Sequence, residues 1–158
     1  MEKVSLDTWL QRLGMLGVMA SLVFVGLEMR QSQRIALVSQ IQQRSYAASA
    51  EAYTFTEAGL DWFSSKFSIP TRSELTTEQI AARNSENVSW FFYEADYFQY
   101  SQGLMTEAIW QAKLRAMKVN LKRCEYPEIY QMRSKLVEIE FKKILDSMPS
   151  QCPAMNPS

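Results

Sequence analysis

The residues best suited by type to acid–base chemistry or metal binding are Glu86, Glu94 and Asp96, within NSENVSWFFYEADYFQY. On a helix, Glu94 and Asp96 stand two positions and so about 200° apart, and they diverge rather than converge on one ligand. Bundles that hold metals with carboxylates pair their glutamates with histidines, and this chain contains no histidine. The same absence removes Ser-His-Asp and Cys-His nucleophiles and His-ligated zinc or haem. No catalytic residue, metal ligand or cofactor is assigned, and the chain reads as non-enzymatic. Glu94 sits near Phe91 and Phe98 in helical register. Buried there it would have a raised pKa, whereas the plainer expectation places it at a seam edge, solvated or bonded to a Tyr or Trp.

Two cysteines, Cys124 and Cys152, lie far apart with no CxxC spacing, and they read as free thiols in a reducing compartment. Arg123 beside Cys124 favours a thiolate and a nearby helix C-terminus opposes it, so a structural thiol is expected. Trp90, Tyr93, Tyr97 and Tyr100 share one helical stripe. They could line an apolar ligand pocket, or supply a core or subunit interface, which needs no ligand to explain it. Seventeen basic and seventeen acidic residues cancel, which removes the positive footprint of nucleic-acid binders.

The elements that must position these residues begin with LGMLGVMASLVFVGLEMRQSQ, residues 13–33. Every residue between Arg12 and Glu28 is apolar or small. That run is short against the about 20 residues a membrane span needs, but Trp9, Leu10 and Met29 extend it and Arg12 can snorkel outward. A buried core helix remains the alternative. Apolarity all round the helix favours the span, with Trp9, Arg12, Glu28 and Arg30 at its boundaries. A cleavable signal fits poorly, since no A-x-A-like site follows and Glu2 and Asp7 interrupt the basic start. Gly14, Gly17 and Ser21 fall on one stripe where two helices can approach closely in lipid, although glycine is common in any membrane helix. The partners implied are the bilayer and a second copy. Lys3 and Arg12 precede the run, while Arg30, Arg34 and Arg44 follow it, a slight lean toward a cytoplasmic C-terminal part. Glu28 in an oligomer could ring the mouth of a cation path, against which stands the wholly apolar run.

Behind the run no glycine or proline occurs until Gly59, so the helix should continue with a seam of Val38, Ile41, Ser45, Ala48, Ala52 and Phe55. Gly59 can end it, LDWFSSKF is a short helix or turn, and FSIPTRSEL reads as a loop. Thr76 with Gln79 is a capping-box pattern that starts a helix near Thr77, which should end at about Gln102 with Gly103 left-handed. That helix carries Val88, Phe91, Ala95 and Phe98 on one seam and Trp90, Tyr93, Tyr97, Tyr100 and Leu104 on another. It is the expected centre, its bulky side facing the small Ser45/Ala48/Ala52 seam. Thr106 should cap the next helix, with Ile109, Trp110, Leu114, Met117 and Leu121 inward. Pro127 should open one last helix, burying Ile129, Met132, Leu136, Ile139, Ile144 and Met148 and pairing Glu138 with Lys142.

The reading is an all-α, antiparallel bundle of about four long helices, the first extended by an N-terminal transmembrane helix. It divides into a tail and span (1–29), a bundle (30–148) and a disordered tail (149–158). In LGMLGVMASLVFVGLEMRQSQ with the following Arg34 and Tyr46, and in YEADYFQYSQGLMTEAIWQAKL, the chain resembles a widespread family of short bacterial proteins. These have one N-terminal membrane helix and a small all-helical domain. The Gly26-Leu27-Glu28-Met29-Arg30-Gln31 junction is the strongest match, and the likeness extends to about residue 123. The resemblance implies that fold and an inner-membrane location, and it implies no reaction or active site.

Overall fold

The computed structural model describes residues 6–68, 75–121 and 126–148. These form six helices and no strand: α1 (Leu6–Glu57), α2 (Trp62–Phe67), α3 (Thr77–Ser101), α4 (Glu107–Leu121), α5 (Pro127–Leu136) and α6 (Ile139–Asp146). The all-α expectation holds, with six helices in place of about four. The chain divides into two units, Met1–Leu37 and Val38–Ser158. Most of the FSIPTRSEL loop, Cys124, Cys152 and the tail 149–158 lie outside the described residues.

In the first unit, the described part is one helical segment with its apolar side chains outward. In the second, α1 continues from Val38 to Glu57 and buries Val38, Ser49 and Ala52, with Ile41, Ser45, Ala48 and Phe55 half-buried beside them. The small seam lets backbones come close: Ser45 Oγ donates to the Phe91 carbonyl of α3 at 3.2 Å. α1 stops where Gly59 takes φ +68°, a left-handed turn that glycine adopts without strain.

α3 starts as its sequence dictates. Thr76 Oγ1 accepts from Gln79 N at 3.2 Å, and Gln79 Oε1 accepts from Thr76 N at 2.9 Å. It ends before Gly103, at φ +72°. Thr106 caps α4 through Ile109 N at 3.4 Å. Trp90, Trp110, Phe63, Phe141, Met117, Ile129 and Leu145 are wholly enclosed and form the centre of the core.

The last segment departs from expectation. Instead of one helix, α5 and α6 are separated at Val137 and Glu138, both extended (ψ 162° and 144°). The reason is phase. α5 buries Ile129 and Arg133, while Phe141 follows Ile129 by twelve positions, which an unbroken helix would turn about 120° away. The break re-aims the chain so that Phe141 and Leu145 also reach the core. Glu138 then caps α6, accepting from Glu140 N at 3.0 Å and Phe141 N at 3.2 Å, so it does not pair with Lys142. Lys142 pairs with Asp146 instead. Leu136 and Ile139, expected inside, are 59% and 61% exposed because they flank this turn. Ile109, expected to face inward on α4, is also exposed, while Trp110 and Met117 carry that helix's burial.

Candidate functional site

Three groupings gather the residues singled out by type: the apolar part of α1, the aromatic face of α3, and a polar clamp at the α1–α2 turn.

α1 holds a stretch long and apolar enough to cross a membrane, and none of that stretch is buried by the protein. Leu13, Leu16, Val18, Leu22, Val23, Phe24 and Leu27 are among its exposed side chains, ranging up to 67% at Leu22. Trp9, Arg12, Glu28 and Arg30 are likewise exposed on α1, at either end of the run. A Cβ placed on Gly14 or Gly17 would meet nothing within 4 Å, so both remain open to close approach. Ser21 Oγ donates to the Gly17 carbonyl at 2.9 Å. That bond satisfies the one hydroxyl of the run inside its own helix, which suits a surrounding without water.

The aromatic face of α3 is core. Trp90 is fully buried against Tyr93 and Tyr130, with ring centroids 6.0 and 5.8 Å away. Tyr97 stacks on Phe141 at 4.8 Å, and Tyr100 stacks on Trp110 at 4.8 Å. The phenols are also placed: Tyr93 Oη accepts from Asn120 at 2.7 Å, and Tyr100 donates to Glu107 at 2.7 Å. Burial, then the hydrogen-bonded Glu138 and the charge of Glu140, push the Tyr97 phenol up to about 12. The Tyr100 phenol is raised chiefly by its bond to Glu107, and Glu107 is lowered by bonds from Gln111 and Tyr100.

The carboxylates do not converge. Glu94 lies 3.1 Å from Arg133 on α5 and Asp96 lies 3.0 Å from Lys113 on α4. Burial raises the Glu94 carboxyl despite the Arg133 charge, and burial lowers the Arg133 guanidinium despite Glu94. Arg133 also stacks over Phe91, 4.4 Å from the ring centre, so cation and ring share the enclosure. Among the described residues, no three His, Cys, Asp or Glu side chains gather in a way that could hold a metal ion.

The sequence reading missed the polar clamp. Arg83, almost wholly buried on α3, makes a two-pronged contact with Asp61, Nε to Oδ1 and Nη2 to Oδ2, each at 3.2 Å. Its Nη1 donates to Glu128 of α5. Asp61 in turn caps α2 through Ser64 N at 3.2 Å. One residue on, Asn84 accepts from Trp62 N and donates to Thr56 Oγ1 and the Leu60 carbonyl, each at 2.9 Å. Burial opposes the Arg83 charge, but the Asp61 and Glu128 hydrogen bonds outweigh it and hold the group above its ordinary pKa. An aspartate three residues before a serine, two residues after a glycine, is the local sign of the cap. The long-range partners leave no such sign. This network ties α1, α2, α3 and α5 together, and it leaves Glu128 Oε2 buried without a hydrogen-bond partner.

Beside these, α1, α3 and α4 leave a groove of about 340 Å³, lined by Gln42, Tyr46, Phe92, Gln99, Ile109 and Lys113 among others.

The chain matches no protein-family model, no curated protein and no solved structure.

Proposed function

We propose that this chain is a non-enzymatic, single-pass protein of a bacterial inner membrane, acting as a self-associating scaffold or interaction module. One observation carries the reading: the apolar part of α1 has no cover, while the bundle's own core is complete without it. Each Leu, Val, Met or Phe side chain of that run left in water forgoes about 1.5–3 kcal/mol of burial, and lipid supplies what the protein does not. The open glycines and the internally bonded Ser21 support pairing of spans in lipid. The sequence resemblance to short bacterial membrane proteins agrees with it. Arg30, Arg34 and Arg44 behind the run favour the bundle on the cytoplasmic side.

Alkaline washing of vesicles tests the anchor: the intact protein stays with the lipid, and its release into the wash would end the reading. Protease added outside sealed, right-side-out vesicles should leave the bundle whole if it faces the cytoplasm. The alternative of a ligand held against Trp90, Tyr93, Tyr97 and Tyr100 is not favoured, because Trp110, Tyr130 and Phe141 already cover ring faces there. A hydrated cation path is disfavoured by the uncharged run between Arg12 and Glu28.

A further inference from the structure

We infer that the outward side of α4 docks on a bilayer surface that bears anionic lipid, with Ala112, Ala116 and Val119 against the headgroup layer and Arg115 and Lys118 beside them on the lipid phosphates. This rests on the reading that α1 anchors the chain in a membrane.

A helix packed on a core ordinarily turns charged or polar side chains to water on its other side. α4 does not. Counted at about 100° per residue, Ile109, Ala112, Ala116 and Val119 share about 80° of arc, and Val119 stands on the side opposite the buried Trp110 and Met117. All four are exposed, Ile109 at 50% and Val119 at 60%. Arg115 lies about 40° beyond one edge of that arc with Lys118 farther round the same side, and Lys113 flanks the other edge. An apolar strip edged by long cationic side chains is the pattern of helices that lie in a membrane interface, the strip meeting the acyl boundary while the cations reach the headgroups.

Charge chooses the occupant. From Ala108 to Leu121 the sequence contains no acidic residue. The lysines of α2 and α6 are neutralised in place, Lys66 by Glu51, Lys142 by Asp146 and Lys143 by Glu140, each at 2.6 Å, and Lys113 pairs with Asp96 at 3.0 Å. Arg115 and Lys118, both exposed, have no ion pair among the described residues. A second α4 laid face to face on this strip would bring two more uncompensated cations and no carboxylate, which opposes pairing there; an anionic surface removes the imbalance. Chain length favours lipid over an acidic protein or nucleic acid. Ten residues lead from Glu28, at the end of the apolar run, to Val38, where the second unit starts, and even fully extended they reach no more than about 35 Å. A bilayer that holds the run therefore stays within that reach of the bundle, however the two units are arranged.

Depth quenching tests this on the full-length chain in vesicles of phosphatidylcholine alone or mixed equally with phosphatidylglycerol. A fluorophore is attached through Val119→Cys in a Cys124→Ser/Cys152→Ser background and quenched by lipid that carries a headgroup nitroxide. Positions 115, 118 and 119 are exposed, so the bundle keeps its fold, which a thermal melt of each variant checks. Strong quenching is expected in the mixed vesicles and weak quenching in phosphatidylcholine. Arg115→Glu/Lys118→Glu should lower the docked-to-free ratio at least about 25-fold, at about fivefold for each cation removed, and added salt should weaken docking of the wild-type sequence. Equal quenching in both lipids, or undiminished quenching in the double variant, overturns the assignment to anionic headgroups. No quenching in either lipid, with the protein retained through an alkaline wash, overturns docking and leaves the anchor standing. Protein released by the wash that still binds mixed vesicles through Arg115 and Lys118 overturns the anchor and upholds the surface. A disulfide dimer of unlabelled Val119→Cys protein in the mixed vesicles gives the strip to a second copy and overturns the proposal.

Discussion

The front of α1 and the face of α3 are both strongly apolar, yet their side chains meet opposite surroundings. Leu22 is 67% exposed, whereas Trp90 is fully buried. The difference lies in what the rest of the chain provides. α3 receives Trp110, Met117, Ile129, Phe141 and Leu145 from three later helices. The run at residues 13–27 receives nothing, and it carries no polar face that water would accept. Apolar content alone is therefore a poor guide to burial. Whether a second element supplies complementary volume decides it.

Substitutions should separate the two regions cleanly. Trp110→Ala removes the ring on which Tyr100 stacks and against which Tyr97 and Phe141 pack, and should cost the bundle about 3–5 kcal/mol in chemical denaturation of the detergent-solubilised protein. Its retention in alkali-washed membranes should not change. Asp61→Ala leaves the buried Arg83 with Glu128 alone and strips the cap from α2. Breaking a buried pair on one side costs about 3–5 kcal/mol, so a loss near the lower end is expected, with α2 losing amide-exchange protection first. A bundle indifferent to either change would mean its stability is held elsewhere than at this core and clamp.

Leu22→Arg works the other region. A charge at the centre of a span costs about 2.5–3.5 kcal/mol of insertion free energy, and membrane retention should fall while the bundle's denaturation midpoint stays where it was. Loss of bundle stability with retention intact would invert the comparison and place residues 13–27 in the protein's own interior.

Much of this contrast was written locally. The Thr76–Gln79 box, the left-handed Gly59 and Gly103, and the small seam from Val38 to Phe55 are signals within a few residues or at one helical period, and the structure uses each of them. The break between α5 and α6 was not legible, because SKLVEIEFKKIL keeps helical propensity through Val137 and Glu138. Only the need to bring both Ile129 and Phe141 onto one core forces the turn, and that need is set by α3 and α4. The Arg83 clamp was hidden for the same reason. Asp61 and Glu128 stand 22 and 45 residues from it in sequence, and each alone resembles a surface charge. The groove beside Tyr46 likewise depends on three helices whose mutual spacing no single periodicity records.

The smallest effect sharpens the comparison through pH, at a titrating group that the bundle encloses. The Tyr97 phenol is held up to about 12 by burial, then by Glu138 and Glu140, against an ordinary value of 10.0. Between those two values the unfolded chain has lost the proton and the folded chain keeps it, so stability must fall as pH rises through that window. It is fully present below pH 10 and gone above the folded value. Tyr97→Phe keeps the ring on Phe141 and removes the proton. The melting temperature of the variant, followed from pH 9 to 12, should decline less steeply than that of the wild type. Tyr100 and Tyr130, also raised, leave a residual slope in the variant. Membrane retention over a milder range, pH 9 to 11, should show no such step in either protein. Identical slopes for wild type and Tyr97→Phe would mean that Tyr97 reaches water and that the α3–α6 contact is open in solution.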